Sequence, residues 1–244
     1  MPILKVNDAH YAYPDGHKAI NGVSFTVEPG ESIGLVGANG AGKSTLLLML
    51  LGVLLPASGE IHVQDCKLEK STVKAIRRDV GLIFQDSDDQ LFSSTVYEDV
   101  AFGPRNMGLA KADVELAVTT ALEVTGIAHL RERAPYKLSG GEKRLASIAS
   151  VLSMNPKIIV MDEPSSSLDP KARRNFIELL RRLPQTKLIA SHDLDLVWDA
   201  CSRVIVLKEG RIVADGETKS ILSDEKLMNE SGLELPLRLQ VSEW

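Results

Sequence analysis

Gly37-Ala38-Asn39-Gly40-Ala41-Gly42-Lys43-Ser44 decides the architecture of this chain. The stretch follows a short apolar run, Ile33-Gly34-Leu35-Val36, and leads into a helix-like segment over residues 43–51. Strand, glycine loop and helix in that order build a phosphate cradle. Glycines let the backbone curl so that successive N–H groups point inward at phosphate oxygens. The helix that starts here adds its positive end. Lys43 is placed to reach the β- and γ-phosphates, and the Ser44 hydroxyl to ligate Mg²⁺. With Thr45, these positions form the first candidate nucleotide site. The loop predicts a chain that binds ATP and hydrolyses it.

Outward from the loop, strands and helices alternate. Val23-Ser24-Phe25-Thr26-Val27 alternates apolar and polar and ends in the turn Glu28-Pro29-Gly30-Glu31. The first sixty or so residues are strand-rich, and Ile61-His62-Val63 and Gly81-Leu82-Ile83-Phe84 read as further strands. Between residues 111 and 125, Val114, Ala117, Val118, Ala121 and Leu122 recur at helical spacing, as do Leu145, Ile148, Ala149 and Leu152 later on. Residues 88–154 therefore read as a helical insert. Ile158-Ile159-Val160-Met161 and Lys187-Leu188-Ile189-Ala190 have the continuous apolar character of strands buried on both faces. A helix carrying Phe176, Leu179, Leu180 and Leu183 separates them, and Val204–Leu207 with Arg211–Ala214 read as a hairpin. The fold class is α/β, a mostly parallel sheet with helices on both faces.

Bulk properties narrow the partners. The 244 residues carry a formal net charge of -5, which gives no support to a nucleic-acid partner. Arg173, Arg174, Arg181 and Arg182 cluster in sequence and read as a solvated helix face. The longest apolar run, Leu46 to Leu55, is far shorter than the roughly 20 residues of a membrane span. The amino terminus lacks a signal pattern, and Cys66 and Cys201 stand far apart without metal spacing. A soluble cytoplasmic protein, free to sit on a membrane through a partner, is expected.

Two further constellations carry chemistry. Ile158–Met161 runs straight into Asp162-Glu163-Pro164, which puts carboxylates at the C-terminal edge of a strand, where open α/β sheets bind ligands. Asp162 would hold Mg²⁺, and Glu163 would act on the attacking water as general base. Leu138-Ser139-Gly140-Gly141-Glu142 opens a helix with Ser139 as a natural N-cap. Its exposed N–H groups form a second anion site, which one phosphate loop does not explain.

Leu138-Ser139-Gly140-Gly141-Glu142 resembles the signature sequence of ATP-binding-cassette (ABC) ATPases. Other family elements follow: Gln85 resembles the Q-loop, Ser166-Ser167-Leu168-Asp169 the D-loop, His192 the switch histidine, and Tyr13 the aromatic that stacks on adenine. The resemblance spans almost the whole chain. It implies the P-loop NTPase fold of that family, with a RecA-like parallel-sheet core, an N-terminal antiparallel β-subdomain and a helical insert. Core and β-subdomain would occupy about 1–87 and 155–215, the insert about 88–154, and a C-terminal extension about 216–244. The extension would help hold a dimer. The implied site comprises Glu163, His192, Gln85 and Lys43 for catalysis. Tyr13, residues 37–45, Gln85, Ser139, Gly140, Gly141, Glu142, Asp162, Asp169 and His192 would contact nucleotide, and Ser44, Gln85 and Asp162 would contact Mg²⁺. It further implies a head-to-tail dimer, homomeric or heteromeric, in which Ser139–Gly141 of one subunit contact the γ-phosphate held by Lys43 of the other.

The stretch from Phe84 through Gln90-Leu91-Phe92 to Val96, continued by Asp99–Pro104 and Asn106, resembles the energy-coupling-factor subgroup, above all its cobalt- and nickel-type ATP-binding subunits. That resemblance implies a transmembrane coupling protein and a membrane-embedded substrate binder as partners, at the cytoplasmic face of the cell membrane. The transported substrate would be cobalt, nickel or a vitamin. A conventional importer ATPase shares the ATP motifs but usually lacks Gln90-Leu91-Phe92. A chromosome-maintenance ATPase needs a long coiled coil that does not fit between Ser44 and Ser139. A translation-type protein carries two cassettes, and a P-loop kinase leaves Ser139–Glu142 and His192 unexplained. The chain departs from the common pattern at Ser87, Glu142 and Ser165, where proline, glutamine and threonine are frequent.

Overall fold

The computed structural model describes residues 1–166 and 168–240. Ser167 of the D-loop resemblance and the last four residues of the expected extension lie outside the described residues. The chain order is β1 (Leu4–Ala12), β2 (Lys18–Val27), β3 (Ser32–Val36), α1 (Lys43–Leu50), β4 (Ser58–Val63), β5 (Cys66–Lys67), α2 (Val73–Asp79) and β6 (Val80–Ile83). Next come α3 (Val96–Asn106), α4 (Lys111–Thr125), α5 (Gly140–Leu152), β7 (Ile158–Asp162), α6 (Pro170–Arg182), β8 (Thr186–Ala190) and α7 (Leu194–Ala200). The strands β9 (Arg203–Lys208) and β10 (Arg211–Glu217) precede the short helices α8 (Thr218–Leu222) and α9 (Glu225–Glu230).

Two sheets form. One has four strands in the order β2-β1-β4-β5, paired antiparallel. The other has six in the order β10-β9-β3-β8-β7-β6, parallel except for the β9–β10 hairpin. The parallel strands read as unbroken apolar runs because alternate side chains feed opposite cores. Ile158 and Val160 enter a core shared with α1 and the antiparallel sheet, whereas Ile159 and Met161 enter a core shared with α6 and α7. β8 and β9 divide the same way: Leu188, Ala190, Ile205 and Leu207 to the first side, Ile189, Val204 and Val206 to the second. A third core holds the insert together, with Leu91, Val96, Val118 and Leu122 at its centre.

The insert also contains α3, which the apolar spacing did not pick out and which carries Gly103-Pro104, a pair that usually interrupts helices. Pro104 sits inside the helix and has no N–H to give to the Val100 carbonyl. The Ser153 hydroxyl of the α5 C-cap donates to that carbonyl instead, at 2.8 Å. The missing helix bond is thus replaced from a neighbouring element. α5 also reaches back to the sheet, since Ile148 and Val151 pack with β7 residues.

One surface expectation needs correcting. Arg174, Arg181 and Arg182 are exposed as expected, but Arg173 is half-buried and grips Asp193 with two hydrogen bonds of 2.7 Å. Arg181 donates to the Asp199 carbonyl at 2.7 Å. The basic cluster of α6 therefore fastens α7 rather than facing only solvent. Among the described residues no helix is long and apolar enough to cross a membrane, and both cysteines are free.

Candidate active site

The site sits where β3, β7 and β8 end. From Val36 the chain turns sharply, and two glycines make the turn possible. A Cβ on Gly37 would lie 2.3 Å from the Leu207 carbonyl oxygen, and one on Gly42 2.4 Å from that of Ala19. Any side chain there pushes the loop off its neighbours. Gly42 also has φ 106°, a conformation open to glycine and strained for other residues. α1 then starts with no side-chain cap and no acidic residue in its first turn. Its leading N–H groups are left for an anion. Lys43 is 8% exposed, and its ammonium donates to the carbonyls of Gly37 (2.7 Å) and Ala38 (3.2 Å).

β7 delivers the carboxylates. Asp162 is its last residue and pairs with Ala190 of β8. One carboxylate oxygen, Oδ1, is buried with no hydrogen-bond partner. Burial raises the pKa of Asp162, opposed by a hydrogen bond from Ser44, raised further by the Glu163 charge and lowered by Lys43. An orphaned carboxylate oxygen beside a serine hydroxyl suits a hard divalent cation, and Mg²⁺ takes oxygen ligands of this kind. Asp162 and Ser44 therefore fit the implied Mg²⁺, and the Gln85 side chain opens on the same cavity.

Glu163 is held by its own neighbours. It has φ 44°, a left-handed conformation uncommon outside glycine. Its N–H donates to the Ala190 carbonyl at 2.9 Å. Its carboxylate accepts from the His192 backbone N–H at 3.1 Å and the Ser191 hydroxyl at 3.2 Å. The His192 ring places Nδ1 2.7 Å from Glu163 Oε2. Local strain at Glu163, a backbone bond to the end of β8 and three contacts from the β8–α7 turn thus aim one carboxylate.

These groups line one cavity of about 610 Å³: Tyr13, Asn39 to Thr45, Gln85, Asp162, Glu163 and His192. Tyr13 is fixed by a 3.0 Å hydrogen bond between its hydroxyl and Thr45 Oγ1. Gly37 and Ala38 contribute through their carbonyls to Lys43. His17 and Ala19 also line the cavity. The Pro14-Asp15-Gly16 turn beside Tyr13 was the available signal for His17.

The remaining predicted residues lie elsewhere. Ser139, Gly141, Glu142 and Asp169 line a separate cavity of about 330 Å³ that shares no residue with the first. Gly140 is the first residue of α5 there. Ser139 and Glu142 form a reciprocal capping box: Ser139 Oγ accepts from the Glu142 N–H, and the Ser139 N–H donates to the Glu142 carboxylate at 2.7 Å. The backbone bond from Ser139, reinforced by its hydroxyl, holds the Glu142 pKa below the usual carboxylate range. Asp169 caps α6 by accepting from Lys171 and Ala172 at 2.8 Å. A Cβ on Gly141 would stand 3.1 Å from the Ala172 Cβ, so the two helix starts meet closely. The two sets of predicted nucleotide contacts thus lie apart within one chain.

The stretch after Gln85 divides as well. Leu91 and Val96 are buried in the insert core, so Leu91 is not a surface contact. Phe92 is 66% exposed and meets the exposed Phe102 edge to face, 5.0 Å between centroids. Asp99 is buried and accepts from the N–H groups of Phe92 (3.1 Å) and Ser93 (2.9 Å), which holds that loop in place.

A phosphate loop between β3 and α1, facing an acidic end of β7, defines a P-loop nucleoside triphosphatase. The family model described as "ABC transporter" matches residues 20–166, and the chain belongs to that family as an ATP-binding subunit. GSU1281 of Geobacter sulfurreducens, described as an ABC transporter ATP-binding protein, is 52% identical over 238 residues, covering 98% of this chain and 96% of that one. The energy-coupling factor transporter ATP-binding protein EcfA of Methanothermobacter thermautotrophicus is 43% identical over 239 residues, covering 96% and 77%. Among solved structures, cbiO1 of Clostridium perfringens, described as part of the ABC transporter complex cbiONQ, superposes with a TM-score of 0.85. It is 38% identical, with 94% of each chain covered. The ATP-binding cassette MJ0796, in a dimeric post-hydrolysis state with ADP and Pi, gives a TM-score of 0.78 at 26% identity, covering 88% and 98%. The expected α/β cassette architecture is therefore the one observed.

Proposed function

We propose that this chain is the ATP-hydrolysing subunit of an energy-coupling-factor importer, working at the cytoplasmic face of a membrane. Uptake of a transition-metal ion, cobalt or nickel, or of a vitamin would be driven through a transmembrane coupling protein and a membrane-embedded binder. The observation that carries this proposal is a groove of about 750 Å³ beside Gln85, with Phe84, Phe92, Phe102 and Met107 in its wall and Lys74 and Arg78 at its rim. Exposed aromatic side chains around an apolar groove suit a partner helix. Likeness to proteins described as EcfA and cbiO supports the subgroup.

Hydrolysis follows from the cavity. ATP would lie along the first turn of α1 with its base on Tyr13. Lys43 would exchange its carbonyl partners for phosphate oxygens. Ser44 and Asp162, with Gln85 adjacent, would hold Mg²⁺, which neutralises phosphate charge when bound. Glu163 would orient the attacking water and take its proton, held in place by the His192 N–H and ring. The γ-phosphate would be completed by Ser139–Gly141 of a second subunit, so closure would precede cleavage and phosphate loss would reopen the pair. Glu163→Gln should trap an ATP-bound dimer by light scattering. A Glu163→Gln chain that stays monomeric with saturating ATP would refute the sandwich. Lys43→Ala should abolish nucleotide binding or turnover. Co-purification from membranes, followed by uptake assays for Co²⁺, Ni²⁺ and vitamins, tests the subgroup.

A further inference from the structure

Arg144 is one of the largest fully buried side chains, at 1% exposure. It lies on α5 one turn before Ile148 and two before Val151, on a face that otherwise enters the core. Among the described residues no carboxylate forms a salt bridge with it. Its guanidinium instead donates to two consecutive backbone carbonyls, Phe84 (2.6 Å) and Gln85. Its Nε is buried without a partner. Burying a cation this way is costly, and an apolar side chain of similar volume would pack the same space at no such cost. The fork reaching two successive carbonyls does what an apolar side chain cannot: it fixes the backbone conformation at Gln85.

Two neighbours repeat the connection. Gln90 accepts from the Phe84 N–H at 3.2 Å and donates to the Ser147 carbonyl (2.8 Å) and the Ser150 hydroxyl (3.0 Å) of α5. Lys143 donates to Asp88 at 2.6 Å. Residues 84–90 are therefore fastened to α5 at several points. The Gln85 side chain lines the nucleotide cavity, Phe84 and Gln90 line the apolar groove, and α5 begins at Gly140–Gly141. We infer that Arg144 is a positioning residue that locks the backbone of Phe84 and Gln85 to α5, so that the groove, the Gln85 side of the cavity and the Ser139–Gly141 face change position as one body. This rests on the proposed two-subunit site.

The test uses the full chain with Arg144→Met, which keeps volume and removes the donors, and Gln90→Leu, which cuts the same link at Ser147 and Ser150. Binding of a fluorescent ATP analogue to the Lys43 cavity should stay within about twofold of the parent. The turnover number at saturating ATP should fall about tenfold, the size of a lost coupling between two sites. In a Glu163→Gln background the ATP concentration for half-dimerisation should rise about tenfold. An unchanged turnover number, or analogue affinity falling in step with turnover, overturns the inference. If the Glu163→Gln parent itself fails to dimerise, the two-subunit site has failed. If the parent dimerises and the added Arg144→Met changes nothing, only the role of Arg144 has failed. Should Arg144→Met not fold, the same outcomes read from Gln90→Leu decide.

Discussion

Asp162→Asn should make the nucleotide-free chain more stable and the enzyme nearly inactive. The ionised carboxylate has one oxygen buried without a partner, and burial raises its pKa. An unsatisfied buried polar group costs about 1–3 kcal/mol, more when it is charged, and asparagine keeps the orphaned atom while removing the charge. The lower end applies, because Ser44 serves the side chain and the residue is half-buried. About 1 kcal/mol corresponds to roughly 2–4 °C in Tm for a chain of this size. The sign follows from linkage. A folded-state pKa above the unfolded value means that the native carboxyl holds its proton more tightly, so ionisation costs stability at neutral pH. Asparagine removes that cost. As pH falls toward the unfolded aspartate value of about 3.9, both states of the parent become protonated and the gain fades. Thermal melts with EDTA from pH 4 to 8 read the stability. Mg²⁺-dependent hydrolysis should drop about a hundredfold or more, the scale of a lost metal contribution of several kcal/mol. A lower Tm for the variant at pH 7, a gain that persists at pH 4, or intact hydrolysis would each refute the role assigned to Asp162.

Other substitutions separate packing from contact. Leu91→Ser removes a buried side chain of the insert core and should cost about 2–5 kcal/mol by denaturant melt. Phe92→Ser should change stability by no more than about 0.5 kcal/mol yet lower transport in reconstituted vesicles while sparing soluble ATPase activity. Transport unchanged by Phe92→Ser would remove that residue from the docking surface. Gly37→Ala would set a Cβ 2.3 Å from the Leu207 carbonyl and displace the loop, so nucleotide affinity should fall about a hundredfold; binding within a few-fold of the parent would show that the loop tolerates the clash. Burial pushes the Cys201 thiol up to about 12, so iodoacetamide at pH 8 should label the half-buried Cys66 and leave Cys201 unmodified until the chain unfolds, as mass spectrometry would read.

The glycine loop of residues 37–44 and the helix start at Ser139 were legible in sequence for a physical reason. A turn that must curl backbone around phosphate restricts residue type at each position, so Gly37, Gly42 and Lys43 stand out without a structure. The same holds for Asp162 and Glu163, whose place at the end of an apolar run fixes their edge of the sheet. α3 was not legible, because the carbonyl that Pro104 leaves free is satisfied by Ser153, 53 residues away. Arg144 was equally hidden: a lone arginine on a helix reads as solvated, and only the fold brings the carbonyls of residues 84 and 85 to it. Leu91 and Phe92 show the limit most sharply. They are adjacent, both large and apolar, and sit in one loop, yet the Asp99 carboxylate holds the backbone so that one is buried and the other exposed.

Ser139 shows how, in the proposed two-subunit site, the second half would be prepared. Its hydroxyl and N–H are already engaged with Glu142, so the helix start is ordered before any ligand arrives. Helix geometry leaves the leading N–H groups of Gly140 and Gly141 without intrahelical acceptors. Ser139 and Gly141 line a cavity separate from the one that holds Lys43. An ordered helix start lowers the ordering cost of meeting a phosphate, and on the proposed reading that phosphate would be brought by another subunit. A loop that folded onto its own Lys43 would bind ATP without closure, and the energy of hydrolysis would have no second body to move. On the proposed two-subunit reading, the capping box and the two separate cavities would make nucleotide binding an assembly event, and Arg144 would tie that assembly to the apolar groove.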